Sequence, residues 1–180
     1  MITVNETIYY QNKASLYLNK ANITTNSQQI KSIEIADFNL NDFEKIGLSI
    51  LVNYRMKDKH EKEIVILPNQ TCPQHMHPIV NDNKGKEETL ICRWGVLYLY
   101  VPGKNKKIQA KIPKGREDTF TVFNEIILKP SDKYTILPET WHCFQAGNSG
   151  SVVTSLSDIT SENKDVFKDV NISRFTIIKK

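Results

Sequence analysis

The chain has 180 residues, 39% apolar and 24% charged, with 7 Gly, 7 Pro and 3 Cys: a globular composition that fills one hydrophobic core and is too short for two comfortable domains. The 24 Lys and Arg against 20 Asp and Glu leave a formal +4, but the basic residues are scattered through loops, which excludes the concentrated basic strip of a nucleic-acid binder. No run approaches the roughly 18 uncharged apolar residues of a membrane helix.

The opening Met1-Ile2-Thr3-Val4-Asn5-Glu6 carries neither the basic start nor the apolar run of an export signal. Cys72, Cys92 and Cys143 are odd in number and widely separated, which is not a disulfide framework and fits a reducing compartment. The expected location is the cytoplasm.

In chain order, residues 10–40 are polar except for Ala14, Tyr17, Leu18 and Ala21, whose helical spacing predicts a short packed helix over 13–21. A turn or brief helix is expected at 41–45, opened by the capping side chain of Asn41. The rest predicts strands at 46–55, 62–67, 88–101, 119–127, 133–137, 141–146, 151–156 and 172–178, each rich in β-branched or aromatic residues and bounded by Gly, Pro, Asn or Asp. Short strands without long helices between them point to an antiparallel barrel or jelly roll rather than βαβ units. The runs 64–67 and 96–99 are apolar on both faces, as strands covered on both sides are. Segments 57–62, 81–86 and 103–107 read as loops too polar to bury, with His60 an exposed hairpin histidine. The expectation is one all-β domain, with residues 1–40 an extension whose short helix packs on a barrel formed by 41–180.

His75 and His77 stand two apart, so on a strand their imidazoles leave the same face and can chelate one ion. Glu88, eleven residues after His77, opens the next strand across a polar hairpin loop, and His142, after Pro138-Glu139-Thr140-Trp141, offers a fourth ligand from much later in the chain. The ordinary alternative for a His-x-His pair is two solvated or core histidines. Three of the four histidines lie at strand ends beside prolines, which favours ligands. Cys72 and Cys143 flank these histidines, so a Cys/His zinc site is an alternative, although small buried thiols that pack as apolar residues are the simpler reading.

The segment Leu67-Pro68-Asn69-Gln70-Thr71-Cys72-Pro73-Gln74-His75-Met76-His77-Pro78, followed by Gly85-Lys86-Glu87-Glu88-Thr89, Cys92-Arg93-Trp94-Gly95 and Tyr98-Leu99-Tyr100-Val101, resembles the D-lyxose ketol-isomerase family of cupins. Ile35-Ala36-Asp37-Phe38, the stretch 110–117, His142-Cys143-Phe144-Gln145-Ala146-Gly147 and Asp165-Val166-Phe167 to Arg174 extend the likeness over most of the chain. The resemblance implies a cupin, or double-stranded jelly-roll, barrel with one divalent metal on His75, His77, Glu88 and His142. It also implies a homodimeric aldose–ketose isomerase that acts on free sugars such as lyxose, xylulose, mannose or fructose through an enediol. Imidazole and carboxylate ligands suit Mn²⁺, Fe²⁺, Co²⁺ or Zn²⁺, and manganese is the family-based expectation.

Moving a carbonyl between C1 and C2 also needs a proton carrier. Lys86 and Glu87, beside the ligand Glu88, are the catalytic candidates, and Lys86, Phe144 and Arg174 the candidate sugar contacts; for Arg174, as for Arg93, the alternative is a hydrogen bond to carboxylates at the sheet's edge. One departure stands out: Ser155 occupies a position where the family pattern carries glutamate, and serine is not basic at neutral pH. Asp158 or Glu87 is the substitute if the base is displaced. The alternative reading is a metal-holding cupin that binds a sugar or polyol without turning it over.

Overall fold

The structure is a computed structural model that describes residues 2–56, 59–79, 85–104, 108–158 and 164–179. Two long strands organise it. β6 (Glu88–Val101) and β9 (His142–Asp158) pair antiparallel from Glu88 opposite Ser157 to Tyr100 opposite Cys143, with the register broken around Gly95. At this break both strands turn sharply. Gly95 has φ 77° and Gly150 φ 89°, and a Cβ on Gly95 would sit 2.1 Å from the Gly150 carbonyl oxygen. Only a residue without a side chain fits that approach.

Each long strand therefore serves two half-sheets. Before the bend in β6, β9 pairs with β4 (Lys59–Ile66), which continues through β3 (Leu48–Arg55) to β2 (Glu34–Ala36), while β6 pairs with β8 (Lys133–Ile136). Beyond it, β9 pairs with β5 (Thr71–Met76), β5 with β10 (Val166–Phe167), and β6 with β7 (Asn124–Leu128). Ile50, Ile64, Leu90, Cys92 and Val153 from the first half meet Cys72, Leu97, Leu99 and Phe144 from the second in one core. This is the cupin-type jelly roll. Substitution Gly95→Ala is expected to destabilise it by about 3 kcal/mol or more, from left-handed strain and overpacking together, a loss that thermal unfolding measures directly.

The expected helix over 13–21 is the second half of a longer one, α1 (Val4–Lys20). Thr3 and Glu6 form a reciprocal capping box that starts it, and residues 4–12 carry no apolar stripe because they are mostly exposed. Ala14 and Leu18 are fully buried against Ile35, Val65 and Val152 on the outer face of the first half-sheet, and the Tyr17 ring meets Trp94 edge-on. A second helix, α2 (Ser27–Ser32), is capped by Asn26 and buries no residue, so periodicity could not reveal it. β1 (Ile2–Thr3) pairs in parallel with β11 (Ile178–Lys179).

Residues 41–45 form a turn, as expected. Four sequence expectations change. The strands expected at 141–146 and 151–156 are one bent strand, β9. The strand expected over 119–127 is confined to β7, because a 3₁₀ turn occupies Glu117–Thr119. Residues 172–177 are irregular instead of extended. The polar segment 57–62 is not all loop: β4 starts at Lys59, and both His60 and Lys62 are buried. Its first two residues, together with 81–84 and 105–107 of the other expected loops, lie outside the described residues. Among the described residues no helix is long and apolar enough to cross a membrane.

Candidate metal centre

β5 was not among the strands predicted, since Pro73 and the polar run around it disguise it, yet it carries the site. His75 lies directly opposite His142 at the start of β9, and His77 follows just beyond the end of β5. Glu88 is the first residue of β6, from the facing half-sheet. One ligand atom from each of His75, His77, Glu88 and His142 lies within 4.8 Å of the others, and all four residues are buried.

The outer hydrogen bonds aim these rings. His75 Nδ1 is 2.9 Å from the Pro73 carbonyl and His142 Nδ1 is 2.9 Å from the Thr140 carbonyl. A carbonyl only accepts, so both Nδ1 atoms carry the proton and both Nε2 lone pairs are left for the centre. His77 Nδ1 meets Asp165 Oδ1 at 2.7 Å, and its Nε2 meets Glu88 Oε2 at 3.1 Å. His142 Nε2 is buried with no hydrogen-bond partner among the described residues. Such an orphan costs free energy unless something else binds it. Three imidazole nitrogens and one carboxylate oxygen, convergent and desolvated, fit a divalent first-row cation.

The electrostatics agree. Burial, reinforced by the neighbouring imidazoles, pushes His75 well below its ordinary value and His142 down to about 4, so both rings are neutral ligands at physiological pH. Burial alone would raise Glu88, but the Lys86 ammonium and His77 outweigh it and hold the carboxyl well below the usual range. For His77 burial opposes protonation, and the hydrogen bonds to Asp165 and Glu88 overcome it and raise the ring. Binding a cation at His77 and Glu88 would compete with protonation of the His77 ring.

The centre opens on a pocket lined also by Phe38, Ile50, Lys62, Phe144, Phe167 and Arg174. Lys86 is buried, with Nζ 3.7 Å from Glu88 Oε1. Phe144 forms a wall, and Arg174 reaches the pocket while paired with Glu34 on the edge strand. Glu87 is a correction: its side chain is exposed and alternates away from Glu88. Arg93 is likewise exposed on β6, and Asp158 pairs with Lys59 in a largely exposed position. Cys72 and Cys143 are free and buried, and burial raises both thiols, which leaves them inert packing groups. Ser155 is 1% exposed and its hydroxyl donates to Glu88 Oε1 at 2.5 Å. It orients the carboxylate.

Two residues of the site escaped the sequence reading. Asp165 stood in the quoted motif without a role, and nothing local indicates that it reaches His77. Lys62 was hidden in a charged run, although its parity with the inward-facing Ile64 and Ile66 on β4 was the available signal. Burial, with the nearby Lys86, lowers Lys62 to about 8. Substitution Asp165→Asn is expected to weaken metal affinity by roughly 10- to 100-fold, measured by titration with a competing chelator.

A family model for D-lyxose isomerase matches residues 8–180. The chain belongs to the D-lyxose isomerase family. It is 44% identical over 170 residues to a D-lyxose/D-mannose isomerase of Thermosediminibacter oceani, with 94% of each chain covered. It is 42% identical over 163 residues to a D-lyxose ketol-isomerase of a Thermofilum species, with 90% of this chain and 91% of the relative covered. As a member of this family it is an aldose–ketose isomerase by class. The fold is shared more widely: the L-ribose isomerase of Cellulomonas parahominis superposes with a TM-score of 0.80 at 14% identity, with 99% of this chain and 98% of that one covered.

Proposed function

We propose that the protein interconverts D-lyxose with D-xylulose, and D-mannose with D-fructose, at one Mn²⁺ held by His75, His77, Glu88 and His142. In this reading it works in the cytoplasm as a homodimer, with residues 41–180 the metal-holding barrel and 1–40 its packed extension. The observation that carries the proposal is the convergence of four buried ligand atoms, within 4.8 Å of one another, beside two buried lysines.

When bound, the cation supplies Lewis acidity toward the oxygens on C1 and C2 of the open-chain sugar. Lys86, next to Glu88, donates a hydrogen bond to a sugar oxygen as negative charge develops on the way to the enediol. Lys62, lowered to about 8 by burial, exchanges protons near the working pH and is the candidate carrier between C2 and C1. Arg174 donates to the hydroxyls farther along the sugar, and Phe144 packs on its carbon face. Ser155 acts through Glu88. Its hydroxyl is committed to that carboxylate, while Lys62 remains as a proton-handling group, and this favours the active enzyme over a binding-only cupin.

The test is nuclear magnetic resonance of manganese-loaded protein with D-lyxose. Appearance of D-xylulose until equilibrium is expected. Failure to interconvert any pentose or hexose pair sinks the proposal.

A further inference from the structure

Segment 172–177 belongs to no strand and lends Arg174 to the pocket; Ile172 packs on the core at its start, but the apolar side chains farther along do not hold it down. Phe175 is 56% exposed and Ile177 57%. What holds it is the turn at residues 37–39. The Asn39 side chain grips the segment at two points: Nδ2 donates to the Phe175 carbonyl at 2.8 Å, and Oδ1 accepts from the Ile177 amide at 2.8 Å. The Phe38 carbonyl accepts from the Ser173 amide at 3.1 Å, and the Asp37 amide donates to the Thr176 hydroxyl at 2.9 Å. Between these four contacts lies Arg174, whose side chain is only 10% exposed and lines the metal pocket.

The turn is built for this grip. Phe38 and Asn39 both adopt left-handed backbone conformations, φ 53° and 57°, a state that asparagine tolerates and that strains a phenylalanine. The Phe38 ring lines the pocket and packs 5.6 Å from Phe167, which in turn stacks on His75. One turn thus sets both an aromatic wall and the segment that delivers the guanidinium.

We propose that Asn39, which does not line the pocket, is a positioning residue for sugar binding: its amide clamps segment 172–177 and so holds Arg174 against the substrate. The inference rests on the pocket's being a sugar site, as proposed above. Loosening the segment removes a contact made equally to bound substrate and transition state, so it raises KM and spares kcat.

The experiment compares wild type, Asn39→Ala, Asn39→Asp, Arg174→Ala and the double variant Asn39→Ala/Arg174→Ala, all manganese-loaded. Binding of xylitol, a pentitol that cannot be isomerised, is measured by calorimetry, with KM and kcat for D-lyxose alongside. Asn39→Ala is expected to weaken xylitol binding and raise KM by about tenfold while kcat stays within about threefold. Asn39→Asp keeps the acceptor for Ile177 and recovers part of the loss. The double variant is no worse than Arg174→Ala, because residues acting through one contact are not additive. Hydrogen exchange at the Ile177 amide quickens in Asn39→Ala, with metal content unchanged. Wild-type xylitol affinity in both Asn39 variants, or losses that multiply in the double variant, overturn the proposal. If Asn39→Ala fails to fold, Asn39→Asp decides alone. If the wild type turns over no sugar, the isomerase reading falls while the xylitol comparison still decides the clamp. A wild type that does not bind xylitol overturns the clamp as well.

Discussion

His142→Ala protein is expected to retain less than about one-tenth of the wild-type metal and to interconvert sugars about 10³-fold more slowly, the rate equivalent of roughly 4 kcal/mol of lost electrostatic stabilisation. The reason lies in the state of this ring. Burial holds it neutral, with a value near 4, its Nδ1 proton is committed to the Thr140 carbonyl, and its Nε2 is buried without a partner among the described residues. It is a preformed ligand atom. Removing an unsatisfied buried nitrogen relieves a desolvation cost that partly offsets the packing lost with the ring, so the variant is expected to stay folded. Elemental analysis and a sugar-conversion assay on one preparation then report the loss of metal apart from the loss of structure. Full metal occupancy together with full activity would contradict the assignment.

Ser155→Glu is expected to damage the enzyme, although the resemblance noted in the sequence suggests that it restores a missing base. Ser155 is 1% exposed and donates to Glu88 Oε1 at 2.5 Å. A carboxylate there occupies the space of that hydrogen bond and faces a second buried carboxylate. Two such groups cannot both stay ionised, so one takes up a proton or is pushed aside. The expected cost is on the order of 3 kcal/mol in stability of the metal-free protein, read by thermal unfolding, together with a fall in kcat/KM. Ser155→Ala serves as the contrast: it deletes the orienting hydrogen bond without adding charge and weakens metal binding by about tenfold. A gain of activity in Ser155→Glu with unchanged stability would show that the hydroxyl is not an orienting group.

The candidate metal ligands were legible because His75 and His77 obey the two-residue period of a strand and because three of the chain's four histidines stand beside prolines. The same period separates Lys86 and Glu88 from Glu87, and strict alternation already places Glu87 on the other face. Lys62 and His60 were misread because a charged run resembles a loop, whereas pairing with β9 draws both into the barrel opposite Ser155 and Ser157. The long strand β9 was split in two because Gly147-Asn148-Ser149-Gly150 carries the composition of a turn. Here the glycines serve a bend in continuous strands, which only the partner strand reveals. Residues 172–178 looked extended because Ile172, Phe175, Ile177 and Ile178 are apolar. Phe175 and Ile177 are instead hydrogen-bonded by Asn39, more than a hundred residues away, and no local pattern encodes that contact. The contact between Asp165 and His77 is equally nonlocal.

All of this chemistry assumes one cation between the two half-sheets. Anomalous diffraction at the manganese absorption edge, from crystals grown with Mn²⁺, examines that assumption atom by atom. A single strong peak bonded to His75, His77, Glu88 and His142 is the predicted result; an active enzyme whose crystals show no peak there, or a peak at other residues, would contradict it.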